Sequence, residues 1–116
     1  MNKRYRIKRN SEIDAIFKQR KVNGDNYFAI YQSEDQQGEN FRFALSIGKK
    51  YGGAVDRNLA KRRIRMIVSE HKNQFIKNKL FVVVVKPKAS ELNYQQMKER
   101  LSVLFEKSKL TENKHA

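Results

Sequence analysis

Residues 41–68 read FRFALSIGKKYGGAVDRNLAKRRIRMIV and contain a strand pattern, a glycine turn and the start of a helix pattern. Apolar residues alternate with small or polar ones over residues 41–47, which predicts a strand with one face in the core. The glycines at 52–53 let the chain turn sharply after this strand. Apolar spacing then predicts a long helix over residues 57–73, with Asp56 as its N-cap. The succession of strand, turn and helix is typical of mixed α/β folds.

The residues before this stretch predict one helix and one strand. Ile13, Ile16 and Phe17 have helical spacing, so a first helix is expected over residues 12–20, with Ser11 as its N-cap. An aromatic and aliphatic segment at residues 27–31 predicts a strand, with a short partner strand around residue 22.

The residues after the stretch predict a buried strand and a last helix. The apolar run at residues 80–85 predicts a strand over residues 80–86, which ends at Pro87 because proline cannot donate a hydrogen bond to a sheet. Asn93 has the character of an N-cap and Gln96 takes the N3 position of a capping box. A polar tail is expected over about residues 107–116. The predicted order is α-β-β-α-β-α with one extra short strand, in one domain.

The chain is strongly basic, with 26 Lys and Arg against 12 Asp and Glu and a formal net charge of +14 among 116 residues. Such an excess indicates a polyanionic partner. Residues 1–10 form a basic arm, which is either a frayed terminus or anchored through Tyr5 and Ile7. There is no cysteine, which excludes disulfides, thiolate zinc sites and cysteine nucleophiles. The longest apolar run is far shorter than a membrane span, and no secretory signal pattern is visible, so a cytoplasmic protein is expected.

The predicted long helix carries a dense cationic edge. At about 100° per residue, three cations and one asparagine share an arc about 100° wide, beside an apolar arc that would face the sheet, and a fourth cation, Arg57, lies next to this arc. Like charges at this spacing repel each other, so an anionic partner is expected, although a solvated charged face remains the alternative. Arginine suits phosphate, whereas Asn58 suits a base edge, a 2′-hydroxyl or a metal-bound water, or else helps to cap the helix. The members of this cationic edge are Arg57, Asn58, Lys61, Arg62 and Arg65.

A second candidate site lies on the predicted strands. Two tyrosines and an alanine alternate onto one face of the first strand, and small or polar residues of its neighbour can join them. Small residues would form a shelf, and aromatic rings at its edge can stack on unpaired bases of any sequence. The alternative is that the three aromatic residues are ordinary core residues. The candidates are Phe17, Tyr27, Ala29, Tyr31, Arg42, Ala44 and Ser46.

The segment from Ser46 to Arg65 closely resembles the RNR motif of the bacterial ribonuclease P protein family. The family pattern is approximately a lysine pair, here Lys49 and Lys50, a glycine turn, A-V-x-R-N and K-R-x-x-R. The resemblance extends over nearly the whole chain, including a first helix that ends in phenylalanine and a lysine-proline pair after the last strand. One departure is Ile13, where many relatives have an aromatic residue.

The resemblance implies an α/β two-layer sandwich with a central, mostly antiparallel four-stranded sheet. It also implies a left-handed β-α-β crossover around the motif helix, as in the ribosomal protein S5 domain 2-like fold. The general preference for right-handed crossovers would favour the opposite hand. The handedness therefore depends on the resemblance alone.

The resemblance further implies the protein subunit of ribonuclease P, which binds the catalytic RNA and the 5′ leader of precursor tRNA and so promotes endonucleolytic removal of the leader. The cationic edge, with Lys49 and Lys50, would contact the RNA subunit. Magnesium held mainly by the RNA subunit and the substrate would support cleavage, with no small-molecule substrate and no membrane partner. The leader would contact Phe17, Tyr27, Tyr31, Arg42 and Ser46.

The residues themselves favour binding over catalysis by the polypeptide. Phosphodiester hydrolysis needs a general base or a metal-bound hydroxide, and the sequence has no clear carboxylate pair or histidine dyad for either. His71 falls within the apolar arc of the long helix and is expected to be packed. No catalytic residue and no metal ligand are therefore expected. The alternatives are a ribosomal or general RNA-binding protein and a DNA-binding regulator, although the latter would have a recognition helix close behind another helix.

Overall fold

The computed structural model describes residues 3–112. Three α-helices and four strands follow each other in the predicted order, and short 3₁₀ turns connect several of them. The bounds are α1 Asn10–Lys18, β1 Val22–Gly24, β2 Phe28–Glu34, β3 Arg42–Ile47, α2 Ala54–Glu70, β4 Lys79–Val85 and α3 Tyr94–Lys107.

The four strands form one sheet in the order β1-β2-β4-β3. The pairs β1 with β2 and β2 with β4 are antiparallel. The pair β3 with β4 is parallel, and α2 lies between these two strands in the chain. The mostly antiparallel four-stranded sheet and the β-α-β unit are thus confirmed, while the left hand of this crossover stays an expectation.

Alternation along β4 divides its side chains between two cores. Phe81, Val83 and Val85 join the larger core, which also contains the apolar faces of α2 and α3. Leu80 and Val82 lie on the opposite face, where they pack with Ile16 of α1 and with Ile7. The predicted α/β sandwich is confirmed, and α1 adds a helix on the second face.

The apolar face of α2 is the predicted one, but its start differs. Ala60, Ile64, Ile67 and Val68 are all buried against the sheet. The helix begins at Ala54 with Gly53 in the N-cap position, so Asp56 is an acid within the first turn and not the N-cap. An acid there still interacts favourably with the positive end of the helix dipole.

The first helix also starts earlier than predicted, whereas the last one starts as predicted. α1 has Arg9 at the N-cap without a side-chain hydrogen bond, and Ser11 lies inside the helix. In α3 the Asn93 side chain accepts from the Gln96 backbone N–H at 2.9 Å, and the Gln96 side chain accepts from the Asn93 N–H. The predicted capping box is therefore confirmed.

Both ends of the described chain pack on the body of the protein. The Tyr5 ring stacks on Phe41, and the Ile7 N–H donates to the Phe43 carbonyl at 2.9 Å. At the other end, Leu110 is fully buried and its carbonyl accepts from the Ile76 N–H at 2.8 Å. The polar tail expected from about residue 107 is therefore not found as far as Glu112, whose N–H donates to the Gln74 carbonyl at 2.8 Å. Leu110 was missed because it is a single apolar residue among polar neighbours.

His71 is packed as expected, since its Nδ1 lies 2.8 Å from the Ile67 carbonyl and its Nε2 lies 2.9 Å from the Ser102 hydroxyl. His115 falls outside the described residues. Across residues 3–112, no helix combines the length and the apolar character needed to cross a bilayer.

Candidate nucleic-acid interface

The cationic edge lies on the side of α2 that adjoins its buried face. Asn58 and Arg62 are exposed, whereas Arg57, Lys61 and Arg65 are partly buried along the sides of the helix. In the described part of the chain, none of these cations has a carboxylate within ion-pair distance. The edge is therefore positively charged without internal compensation, which favours an anionic ligand.

Arg65 connects this edge to the basic arm. It lines a cavity with Arg6 and Lys8 of the arm and with Ala44 and Leu45 of β3. Burial lowers the pKa of Arg65, and the nearby charge of Arg6 lowers it further. Two cations that approach each other without an acid between them mark a place where an added phosphate would be stabilising.

The loop before α2 adds two more cations to this side. Lys49 and Lys50 are exposed on a 3₁₀ turn between the end of β3 and the first residue of α2. Gly52 and Gly53 follow this turn. The cationic edge, the two lysines and the arm therefore surround the β3 edge of the sheet.

A groove crosses the second face of the sheet beside α1. Its floor is a row of small or short side chains, because the strand register sets Gly24 beside Ala29, Ala29 beside Val84 and Val84 beside Ser46. A Cβ at position 24 would lie 2.9 Å from the Phe28 carbonyl oxygen, so only glycine fits there without a shift. The row leaves space above the sheet that larger residues would fill.

Two aromatic rings form one wall of this groove. Phe17 comes from the last turn of α1, and Tyr31 comes from β2. Both rings are only partly buried and both border a cavity of about 680 Å³. The Lys86 ammonium also borders the cavity and donates to the Asp25 carbonyl at 2.5 Å. The groove thus combines a flat floor, aromatic edges and one cation.

The structure brings four of the seven predicted groove residues together, namely Phe17, Ala29, Tyr31 and Ser46. Several other lining residues were not selected from the sequence, because neither strand alternation nor motif spacing marks them. The missed lining residues are Val22, Gly24, Asp25, Asn26, Val84 and Lys86.

The placement of Tyr27 on the groove face was wrong. Tyr27 precedes β2 and packs against the larger core, with Lys88 and Arg100 located 5.7 and 5.1 Å from its ring centroid. The cause is a turn in which the Asp25 carboxylate accepts from the backbone N–H groups of Tyr27 and Phe28. Because of this turn, the Tyr27 side chain does not follow the alternation between the two sheet faces that holds along β2.

Arg42 lies on the expected face, but it does not line the groove. It occupies the opposite end of β3 from Ser46 and pairs with Glu12 at 2.8 Å and with Asp35 at 3.3 Å. Hydrogen bonding to Glu12 is the main cause that raises the pKa of Arg42. Because two carboxylates already compensate its charge, Arg42 is a structural cation and not a free phosphate ligand. Its partners are distant in the sequence, which is why the pairing was not foreseen.

The described residues do not group the side chains that a metal ion needs. Over residues 3–112, no three His, Asp or Glu side chains converge to form a possible metal site. The arrangement offers cations, aromatic rings and a small-residue floor, which are the features that single-stranded nucleic acid binds to.

The chain is similar to known proteins over nearly its whole length. The family model described as Ribonuclease P matches residues 1–109. The ribonuclease P protein component of Acholeplasma laidlawii is 44% identical over 112 residues, covering 97% of this chain and 96% of that protein. The corresponding protein of Bacillus cereus is 37% identical over 108 residues, covering 93% and 94% of the two chains.

Solved structures agree with these sequence matches. The ribonuclease P protein of Staphylococcus aureus superposes with a TM-score of 0.88 at 29% identity, covering 93% of this chain and 98% of that chain. The protein from Thermotoga maritima superposes with a TM-score of 0.75 at 26% identity, covering 85% and 94%. The residues matched by the family model, 1–109, contain both the groove and the cationic edge of this chain.

Proposed function

The chain belongs to the ribonuclease P protein family, and we propose that it is the protein subunit of ribonuclease P. In this role it binds the catalytic RNA and the 5′ leader of precursor tRNA. It thereby promotes the endonucleolytic removal of the leader that gives the mature tRNA 5′ end.

The groove is the observation that carries this proposal. Its floor of small residues and its wall of Phe17 and Tyr31 suit unpaired bases lying on the sheet. Stacking on aromatic rings contributes about 1–3 kcal/mol per base and depends little on base identity. A leader of variable sequence needs this kind of contact, whereas a folded tRNA body does not enter such a groove.

The cationic edge of α2 supports binding to the RNA subunit. Arginine presents a planar fork that donates two parallel hydrogen bonds to a phosphate. Asn58 both donates and accepts, so it complements the cations by contacting a base edge or a 2′-hydroxyl. The distribution of the two sites allows the protein to contact the RNA subunit along α2 while the leader occupies the groove on the other face.

We assign the cleavage step to the RNA subunit, with magnesium held mainly by that RNA and by the substrate. The polypeptide then contributes binding and charge neutralisation. Support comes from the chemistry of the two surfaces, since cations and aromatic rings bind RNA but do not activate a water molecule.

Reconstitution tests the proposal. The protein is mixed with a bacterial ribonuclease P RNA at low magnesium concentration, and cleavage of precursor tRNA is scored beside each component alone. We expect the mixture to release the leader, the RNA alone to be slow and the protein alone to be inactive. Leader removal by the protein without RNA would overturn the division of roles.

Binding measurements separate the proposal from a general RNA-binding protein. The affinities of the reconstituted particle for precursor tRNA, mature tRNA and an unrelated structured RNA are compared at one salt concentration. The proposal requires preference for precursor tRNA. Equal binding of all three would favour a general RNA-binding protein.

A further inference from the structure

A second cationic cluster lies where α1 and α3 end, and neither the groove nor the cationic edge includes it. Its residues border a cavity of about 540 Å³ next to β1. Val22 of β1 borders both this cavity and the groove, so the two sites are neighbours across that strand. The cationic members of this helix-end cluster are Arg20, Lys21, Lys79, Lys107 and Lys109.

One acid compensates only part of this charge. Glu34 pairs with Lys79 at 2.7 Å, and Lys79 is the main cause that lowers the pKa of Glu34. The other four cations are exposed and have no carboxylate within ion-pair distance among the residues that the structure describes. The charge of Lys21 also lowers the pKa of Glu34, so Lys21 is partly compensated at longer range. The remaining three cations, Arg20, Lys107 and Lys109, repel each other around one cavity, which an anion in the cavity would relieve.

Two of these cations occupy unusual backbone positions. Arg20 and Lys109 have φ values of 54° and 56°, and they are the non-glycine residues with positive φ in the described chain. Such left-handed positions after helices favour glycine, because a Cβ is disfavoured there. The chain has a long cation at both places, although glycine would adopt the same backbone more easily.

The interaction of cations with helix dipoles accounts for Lys107 but not for the other members of the cluster. That effect falls off within the last turn of a helix, and Lys18 and Lys107 already occupy the last turns of α1 and α3. Arg20 and Lys109 lie beyond those turns. The dipoles also give no reason for the ends of two different helices to bring their cations to one cavity.

Hydrogen bonds fix the two helix ends relative to the sheet. The Gln32 side chain of β2 donates to the Ser108 carbonyl at 2.6 Å, and the Asn23 side chain of β1 lies 3.3 Å from the Ser108 hydroxyl. Ser108 itself is buried. The backbone that carries Lys107 and Lys109 is therefore held against the sheet, next to the cavity.

We propose that the helix-end cluster binds backbone phosphates of the single-stranded 5′ leader where the leader continues beyond the groove across Val22. The inference rests on the proposed function, because it extends the path of the leader. It assigns two kinds of contact to the RNA leader, whose bases stack in the groove and whose phosphates bind at the cluster. The cluster does not read sequence, since lysine and arginine contact only the backbone there.

The test uses the double variant Arg20→Gly with Lys109→Gly in the reconstituted particle. Glycine suits both backbone positions, so the variant removes two cations without opposing the fold, and its melting temperature should equal or exceed that of the parent. Precursor tRNA is supplied with a long leader or with a short leader that ends within the groove. The control double variant Lys88→Ala with Arg100→Ala removes two cations that contact Tyr27 and line neither cavity.

We expect the glycine variant to bind the long-leader precursor about tenfold more weakly and the short-leader precursor as well as the parent does. The dependence of log affinity on log salt should become less steep by about 1.4, since each lost phosphate contact on a single strand contributes about 0.7. The control should bind both precursors as tightly as the parent does.

Equal losses of affinity for the long-leader and short-leader precursors would mean that the cluster contacts the RNA subunit or the tRNA body. No loss of affinity for either precursor would mean that the cations at the helix ends are only solvated. Either result overturns the inference, whereas failure of the proposed function would appear in the parent particle as a lack of preference for precursor tRNA.

Discussion

Phe17 and Tyr31 meet edge to face, with ring centroids 4.8 Å apart and ring planes at 76°. The contact joins the last turn of α1 to the middle of β2 and holds both rings at the side of the groove. Both rings keep part of their surface open to the groove. The pair is therefore both a packing contact and a stacking surface.

Replacing Tyr31 by leucine should weaken the preference of the reconstituted particle for precursor over mature tRNA by about tenfold. This corresponds to about 1.4 kcal/mol, within the range of about 1–3 kcal/mol for one stacked base. Phe17→Leu should act in the same direction. The measurement is the ratio of the two dissociation constants at fixed salt and magnesium concentrations.

Tyr27→Leu is the matched control, because Tyr27 lies on the other side of the sheet. It should leave the ratio unchanged at temperatures where the variant is folded. Affinity for the RNA subunit should stay the same in all three variants. If the Tyr27 variant loses the preference and the Tyr31 variant keeps it, the groove is not the leader site.

Neighbouring arginines on α2 provide a test of the cationic edge. Arg62 belongs to the edge, whereas Arg63 lies outside it and interacts with Tyr51. Arg62→Ala should weaken binding of the RNA subunit and reduce the slope of log affinity against log salt by about 1. Arg63→Ala removes the same charge and should change the slope much less. Equal slopes for the two variants would contradict the assignment of the edge.

The strand and helix patterns were predictable where local rules act alone. Alternation over β3 correctly assigned Phe43 to the core and Ser46 to the opposite face, because strand geometry leaves each side chain one choice. The prediction for Tyr27 failed because the turn at Asp25 precedes the strand and changes the direction of the Tyr27 side chain. Lys86 and Val84 were missed because only the pairing of three strands brings them to the groove.

Compensation of charge was not predictable from the sequence. Arg42 and Lys61 are both cations beside apolar residues, and the sequence pattern does not indicate which of them has a carboxylate partner. Only Arg42 meets carboxylates, from residues located 30 and 7 positions away. Tertiary contacts of this range therefore decide which cations stay available for RNA.

Arg42→Met should consequently affect stability more than leader binding. Loss of its two partly exposed ion pairs is expected to cost about 1 kcal/mol, which lowers the melting temperature by about 4 °C. Preference for precursor tRNA should remain, because Arg42 does not line the groove. The control is Arg9→Met, which removes a neighbouring cation that has no carboxylate within ion-pair distance among residues 3–112, and it should leave the melting temperature nearly unchanged. If a folded Arg42 variant lost the preference for precursor over mature tRNA, Arg42 would have to be counted among the residues that bind the leader.

The segment after α3 provides a stability prediction. Leu110 is fully buried in the larger core, so Leu110→Ala should reduce the free energy of unfolding by about 2–5 kcal/mol. Val103→Ala, at a position that is 50% exposed, should change it by less than about 0.5 kcal/mol. Denaturant unfolding measures both. A small effect at Leu110 would mean that the segment after α3 contributes little to the core.

Two tyrosines of the described chain have raised pKa values, Tyr51 through burial and Tyr94 to about 12, so Tyr94 should give the last step of a tyrosine titration. Its hydroxyl donates to Glu70, and burial together with this acid raises the pKa of Tyr94 to about 12. Since the folded pKa lies above the usual value of 10.0, the contact stabilises the fold at lower pH, and this stability is lost as the pH rises through about 12.

Tyrosinate absorbance followed against pH should therefore show a late step, and Tyr94→Phe should remove it. Glu70→Gln should move the step to lower pH without returning it to the usual value, because burial of Tyr94 remains. A titration in which the late step survives Tyr94→Phe would assign it to another tyrosine and remove the proposed link between α2 and α3.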